Sequence, residues 1–285
     1  MYKRQAGNFA WDTFDPNPCN GGTPTDGEGI DIANNNTHSY TGQTVVENNL
    51  MFWNGGRGVL IGDDPTGNIY VRFNTSYGSN LDTNQNYFGC AEIAGVANSN
   101  TQVYYNLVST SQANGCGSHP IYAFSEQNGD GTNTFYNNWG YAQNGQPTLV
   151  YESGSFAFGP NNTFQNPEFA NPPSSNPGPP NCSSFASVPA CMATIIADFQ
   201  PTAGASAYGR QPVESGSVSD PLFPQWLCKV SLPEGLVTMG CLSPGTGAAP
   251  GQLTANLGSL NFANVQVGNS QAQSVTCLLY TSRCV

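Results

Sequence analysis

Acidic side chains recur at matching places in the first half of the chain, and one arginine stands among them. Asp31 in GIDIA and Glu92 in CAEIA each lie inside a short apolar run. Asp63 and Asp64 follow a third run, GVLIG, and Arg57 precedes it. Calcium prefers several carboxylate ligands, and a basic side chain beside them is a candidate general base. If the fold brings them together, the set predicts calcium-assisted proton abstraction.

The apolar runs that carry these residues recur with a long period. Their inward positions begin at intervals of 29, 32, 30 and 28 residues, at Ile30, Val59, Ala91, Ile121 and Leu149. A second series interleaves with the first and consists of Asn49, Asn74, Asn106 and Asn138. Two short strands per unit of about thirty residues, with asparagine at a corner, are typical of a parallel β-helix. A β-sandwich would show strands roughly every 8–12 residues without a fixed long period.

We therefore predict an all-β chain, a solenoid of about 30-residue coils over residues 26–170, almost without α-helix. Inward side chains should fill a narrow core. The four asparagines should stack at one corner as a ladder of amide hydrogen bonds.

Three phrases, TDGEGIDI, VVENNLMFWNGGRGVLI and NIYVRFNTSYGSN, resemble secreted right-handed parallel β-helix proteins of the pectate-lyase-like superfamily. The resemblance covers roughly residues 6–170 and implies a right-handed coil and an extracellular or cell-surface location. It says little about chemistry, because lyases, hydrolases and non-enzymatic adhesins share the fold. FQPTAGASAYGRQ, at 199–211, resembles the closing phrase of the last coil in such proteins.

Composition divides the remainder of the chain. Residues 6–242 form the predicted β-helix domain, with a Pro-, Ser- and Asn-rich loop insertion near 171–191. Residues 243–252 read as a linker. The alternating segment within 253–276 is similar to the opening of immunoglobulin-like modules of the ASPM/SPD-2/Hydin type, cut short after about two strands.

The sequences of the two ends, 1–5 and 277–285, do not continue the patterns of the segments next to them. We interpret both as artefacts of sequence assembly. The chain is then expected to be a fragment without its N-terminal coils and signal peptide. Excluding the ends leaves four basic residues against 18 acidic ones, a net charge of −14. Such a charge repels nucleic acid and anionic membrane, and no apolar run reaches the length of a membrane span. We expect a secreted monomer whose partner is a polysaccharide.

Cysteine spacing predicts disulfides and an oxidising compartment. The expected pairs are Cys182–Cys191, Cys228–Cys241 and Cys90–Cys116. No C-x-x-C motif occurs, and His38 and His119 are too few for a zinc site.

Alternation along the strands predicts one outward face for the candidate site. Asp31 and Glu92 should point outward two coils apart, with their carboxyls very roughly 10 Å from each other. Arg57 should lie at one edge as the base, and Asp63 and Asp64 at the other as calcium ligands. The side chains expected to hold sugar are Tyr122, His119 and Tyr77.

Each of these residues also has a structural interpretation. Arg57 can bond corner carbonyls or pair with Glu28, the aspartate pair can form a turn, His119 can lie in a solvated loop, and outward tyrosines can simply cover the stack. The function that the sequence favours is a calcium-assisted lyase acting by β-elimination on an acidic, pectin-like polysaccharide. The alternative is a non-enzymatic glycan-binding or adhesion protein, and a third possibility is an inverting glycoside hydrolase using Asp31 and Glu92.

Overall fold

The structure is a computed structural model that forms two compact units, Met1–Pro244 and Gly245–Val285. It describes residues 2–6, 8–13, 27–33, 40, 42–62, 68–82, 90–110, 121–142, 149–158, 162–178, 180–202, 253–255 and 277–279.

The first unit is built from short strands. In chain order they are β1 (Tyr2–Ala6), β2 (Phe9–Trp11), β3 (Ile30–Ala33), β4 (Gln43–Glu47), β5 (Leu50–Phe52), β6 (Val59–Gly62), β7 (Ile69–Arg72), β8 (Thr75–Tyr77), β9 (Ala91–Val96), β10 (Thr101–Tyr104), β11 (Leu107–Ser109), β12 (Tyr122–Tyr136), β13 (Trp139–Tyr141) and β14 (Leu149–Phe158).

The strands of the first unit pair in parallel and form three faces. Sheet I contains β3, β6, β9 and the start of β12, and sheet II contains β1, β4, β7, β10 and the end of β12. Sheet III contains β2, β5, β8, β11 and β13, and β14 pairs along β12. Successive coils thus add one strand to each of three faces, whereas the repeat predicted two strands per unit. The arrangement is all-β, repeat-like and compatible with a parallel β-helix.

The predicted parallel pairing of the first two coils is confirmed, because Ile30 pairs with Val59 and Ile32 with Ile61. Among the described residues of 26–170 no helix is present. Short apolar strands cut by Asn and Gly therefore fold as the periodicity indicated.

The predicted asparagine ladder is confirmed at the corner between sheets II and III, and it extends beyond the four expected residues. Each Nδ2 donates to Oδ1 of the next asparagine at 2.9–3.1 Å, through Asn8, Asn49, Asn74, Asn106, Asn138 and Asn162. The backbone N–H of each asparagine from Asn8 to Asn138 donates to the same Oδ1. The amides from Asn74 onward also donate to main-chain carbonyls, so the corner is held both along and across the stack.

The ladder imposes a strained backbone on the residues that precede it. Asn48, Phe73, Tyr105 and Asn137 have φ between 54° and 56°, in the left-handed region. That region is uncommon for bulky side chains such as Phe and Tyr. The two aromatic rings stack on each other with centroids 5.5 Å apart and an interplanar angle of 8°, which stabilises the corner.

Two apolar clusters lie on opposite sides of the sheets. The interior cluster fills the space between the three faces and includes Val46, Met51, Val59, Ile61, Val71, Ile93, Val103, Val108, Phe124 and Phe135. The outer cluster surrounds the asparagine corner and includes Leu50, Phe52, Phe73, Tyr77, Tyr104, Tyr105, Leu107 and Trp139. Met51 belongs to the interior while its neighbours in β5 belong to the outer cluster, which is the period-two alternation of a strand.

The outer cluster is covered by the segment that follows the strands. This segment contains a 3₁₀ turn, Cys182–Ser184, and one helix, α1 (Val188–Asp198). Ile195 and Ile196 of α1 pack against the cluster, and Phe199 packs on Phe52 with ring centroids 4.9 Å apart and the rings tilted by 39°. The cover explains why outward aromatics on sheet III are buried.

Helix α1 was not predicted from the sequence. Its local signal is Ser187, whose side chain accepts the Ala190 N–H as an N-cap, followed by proline in the first turn. The predicted Cys182–Cys191 disulfide is confirmed, with Cα atoms 5.4 Å apart, and it ties the 3₁₀ turn to α1. No described helix is long and apolar enough to cross a membrane.

The second unit contains β15 (Leu253–Ala255) and β16 (Cys277–Leu279), which pair antiparallel. Strand β16 lies within 277–285, and β1 includes four of residues 1–5 and pairs with β4. Both segments that the sequence analysis set aside therefore contain strand residues.

Replacing Asn106 with Ala tests how much the ladder stabilises the stack. The change removes the donor to Val71 O and the acceptor of two Asn74 N–H groups, all buried. We expect the free energy of unfolding in urea to fall by about 3–5 kcal/mol, the sum of two or three unsatisfied buried groups. Asn8→Ala, at the exposed end of the ladder, is the matched control and should cost less than about half as much. Equal losses would mean that the ladder does not act as an internal support.

Candidate functional site

The outer face of sheet I carries Asp31 as predicted, and Asp31 is exposed. Its register column continues through Leu60, Ala94 and Ser125. Glu92 was predicted to lie in this column as well, and that prediction is wrong. Val59 pairs with Ile93 rather than with Ala91, because the connection from β5 to β6 is shorter than the connection from β8 to β9. Glu92 therefore lies two residues before Ala94, the residue that pairs with Leu60.

Glu92 does not lie on the outer face, contrary to the prediction. Its exposure is 0%, and it stands in the register between Gly58 and Ala123, which also faces the interior. The Ser76 hydroxyl hydrogen-bonds to one carboxyl oxygen at 2.7 Å, and the Ser79 N–H donates to the other at 2.8 Å. The expected outward pair of Asp31 and Glu92 therefore does not exist.

Gly58, on the neighbouring coil, allows the close approach of Ser76, whose hydroxyl bonds to the Glu92 carboxyl. A methyl group added at Gly58 would collide with the Ser76 hydroxyl and approach the Glu92 carbonyl oxygen. This is a close approach that only glycine permits at that point. Burial raises the pKa of Glu92 to about 8, although the hydrogen bonds from Ser76 and Ser79 work in the opposite direction. The side chain is accordingly a neutral carboxylic acid at pH 7.

Arg57 forms an ion pair with Glu28, which is the structural interpretation foreseen for it. Arg57 Nη1 lies 3.1 Å from Glu28 Oε1, and the side chains are 6% and 2% exposed. Glu28 Oε2 also accepts the N–H of Gly27 at 3.0 Å. The ion pair ties the Arg57 guanidinium to the neighbouring coil, since Glu28 precedes β3 and Arg57 precedes β6.

The two tyrosines predicted to bind sugar lie on different sheets and differ in their exposure to solvent. Tyr77 points outward from sheet III as predicted, but it is only 4% exposed because Phe169 and Phe199 pack against it. Tyr77 therefore belongs to the covered outer cluster, and the expectation that it meets sugar is not supported by its burial. Tyr122 lies on sheet I and is partly exposed.

Several predicted residues lie outside the described part of the chain. These are Asp63, Asp64, His119, Cys116, Cys228 and Cys241. Cys90 is disulfide-bonded. Among the described residues no group of three or more His, Cys, Asp or Glu side chains is placed to hold a metal ion.

The outer face of sheet II presents a group of residues that the sequence analysis did not single out. Tyr70, Gln102 and Thr134 form one register column across three coils, and each is partly exposed. Tyr136 lies two residues beyond Thr134 on the same face, and its hydroxyl donates to Gln102 Oε1 at 3.1 Å. The available signal was the alternation of IYVR and TQVY, in which the valines mark the interior face.

A buried ion pair lies beside this group. Glu47, Arg72 and Tyr104 occupy the register column that ends at Tyr136. Arg72 Nε donates to Glu47 at 2.8 Å and Nη1 donates to the Tyr104 hydroxyl at 2.9 Å. Burial would lower the pKa of Arg72, but the nearby Tyr104 and Glu47 outweigh it and raise that pKa above its ordinary value.

The face is held rigid by stacking. The rings of Tyr104 and Tyr136 lie 4.9 Å apart at an interplanar angle of 6°. Tyr70 and Tyr136 both pack against the outer cluster while keeping part of their surface in solvent.

None of the protein families, curated proteins or solved structures compared with this chain matches it.

Substituting Glu92 with Gln should remove a pH dependence of stability. Because the folded pKa of about 8 exceeds the ordinary value of 4.5, the wild-type chain should lose stability as pH rises between these values. The loss is on the order of 4 kcal/mol, since one pKa unit corresponds to about 1.4 kcal/mol. Glutamine keeps one acceptor and one donor for Ser79 and Ser76, so Glu92→Gln should be nearly flat across this range. Denaturant unfolding at pH 5, 6, 7 and 8 measures both slopes, and parallel slopes would contradict a neutral interior acid.

Replacing Arg57 with Ala should destabilise the chain, because it leaves a buried Glu28 carboxylate without its cation. We expect a loss of about 3 kcal/mol in the free energy of unfolding. The double variant Glu28→Gln/Arg57→Gln removes both charges and should recover part of that loss. An unchanged melting temperature in Arg57→Ala would instead favour a role in chemistry.

Proposed function

We propose that this chain is a secreted, carbohydrate-active protein that binds a polysaccharide along a lateral face of a right-handed parallel β-helix. The handedness and the kinship with the pectate-lyase-like superfamily rest on the sequence resemblance. The single observation that carries the function is the partly exposed, polar and aromatic outer face of sheet II. A parallel stack repeats about every 4.8 Å, which presents equivalent groups to successive parts of an extended chain molecule.

An extracytoplasmic location agrees with the disulfide chemistry. Cys182 and Cys191 are bonded, and Cys90 is also disulfide-bonded. Disulfides persist in oxidising compartments, where extracellular polysaccharides are found. The low content of basic residues, 7 against 18 acidic ones, disfavours nucleic acid as the partner.

Glycan binding without turnover is the function we favour among the three considered. The inverting hydrolase needs two carboxyls facing a common substrate, and Glu92 lies in the interior, hydrogen-bonded to Ser76. The lyase needs a base and a calcium site. Arg57 is held by Glu28, and Asp31 is the predicted calcium ligand that stays exposed in the described chain.

The calcium-assisted lyase remains the second candidate because Asp31 is exposed on sheet I, in the strand beside the one that Asp63 and Asp64 follow. In that mechanism calcium would neutralise the uronate carboxylate so that the adjacent proton can be removed. Asp31, Asp63 and Asp64 would supply its ligands.

Binding and turnover can be separated in one series of measurements. The whole chain is tested by affinity electrophoresis against soluble polysaccharides and by near-ultraviolet absorbance on polygalacturonate, with calcium and with chelator. We expect retardation by at least one polysaccharide and no absorbance increase, because β-elimination creates an absorbing double bond and binding does not.

A chelator-sensitive rise in absorbance would establish the lyase instead, and Asp31→Asn should then reduce it. Absence of both retardation and turnover across neutral and acidic polymers would overturn the carbohydrate proposal as a whole.

A further inference from the structure

We propose that the outer face of sheet II binds a neutral polysaccharide, with Tyr70 and Tyr136 stacking against sugar rings and Gln102 hydrogen-bonding to hydroxyls between them. The inference rests on the proposed carbohydrate function and deepens it by naming the face and the charge class of the ligand. It differs from the sequence-based prediction, which placed the site on sheet I and expected an acidic polymer.

The backbone sets the positions of these side chains. Val71 and Val103 are 0% exposed and belong to the interior cluster. The residues beside them in each strand, Tyr70 and Gln102, therefore point outward. Tyr70 and Tyr136 lie on strands two coils apart, so their rings are on the order of 10 Å from each other along the stack. That distance admits more than one sugar unit along the face.

The side chains are already fixed before any ligand arrives. Tyr136 is stacked on the buried Tyr104, which receives a hydrogen bond from the buried Arg72. The Tyr136 hydroxyl donates to Gln102 Oε1, which restrains the orientation of that side-chain amide. A face that is ordered in advance loses little conformational entropy on binding. Tyrosine presents a flat apolar ring with a polar edge, the combination that suits sugar C–H faces and hydroxyls.

Charge determines the class of polysaccharide. The two arginines whose side chains the structure describes, Arg57 and Arg72, are both held in buried ion pairs with glutamates. The whole chain carries a net charge of −11. A polymer of uronates is negatively charged and would be repelled by that excess of negative charge, whereas a neutral polymer would not be.

The experiment measures affinity of the full chain for hydroxyethyl cellulose, galactomannan and polygalacturonate by affinity electrophoresis. We expect binding to a neutral polymer that weakens roughly three- to tenfold in Tyr70→Ala and in Tyr136→Ala, the worth of one aromatic contact. Tyr136→Phe keeps the ring and should lose less than Tyr136→Ala. Gln102→Ala should weaken binding without removing a ring, and thermal unfolding of each variant checks that the stack is intact. Leu60→Ala, partly exposed on sheet I, is the matched control and should bind as the wild type does.

The outcomes separate the inference from the function on which it rests. Binding of a neutral polymer that none of the sheet II variants weakens would overturn the site and leave the carbohydrate function standing. Preference for polygalacturonate over both neutral polymers would overturn the neutral ligand. No binding to any of the three polymers would overturn both.

Discussion

The asparagine ladder is the interaction on which the other features of the stack depend. Each rung gives two hydrogen bonds to one oxygen of the next coil, one from the side-chain amide and one from the backbone N–H. A slip of one residue between coils would leave both donors unsatisfied in a buried position, which costs far more than the small differences among apolar contacts. The ladder therefore fixes the register of sheets II and III, and the alternation of their strands then decides which side chains reach solvent.

The features that could be predicted from the sequence are those that depend directly on the asparagine ladder and on strand alternation. The ladder residues have an invariable role, so their spacing alone located the corner, and the interior valines and isoleucines followed by counting in twos. The same counting failed for Glu92. Glu92 and Ile93 are adjacent in the chain, yet both face the interior, so the period-two alternation does not hold where β9 begins. For Tyr77 the counting gave the correct outward direction but could not predict that the side chain is buried. Its cover, Phe169 and Phe199, lies about a hundred residues further along the chain and has no periodic relation to it.

The interior acid and the buried ion pairs show how this chain uses its few charged groups. Glu92 is accommodated as an interior acid hydrogen-bonded to Ser76 and Ser79, and Arg57 and Arg72 each pair with a glutamate. Replacing an ion pair of this kind with apolar groups is often neutral or stabilising, so such pairs are better regarded as devices of specificity than of stability. In this stack Arg72 joins Glu47 on one coil to Tyr104 on the next coil but one, which specifies the order of three coils at the outer face.

The covering segment assigns different roles to the outer faces. Helix α1 and the aromatic residues around it bury the outward side chains of sheet III, which removes that face from contact with ligands. Tyr70 and Tyr136, on sheet II, pack against the same cluster but keep part of their surface in solvent. Aromatic rings in that position are both immobilised and accessible, whereas a ring such as Tyr77, beneath Phe169 and Phe199, is only immobilised. The same outer cluster therefore contributes covered rings on sheet III and partly exposed rings on sheet II, and the partly exposed rings are the ones that can contact a ligand.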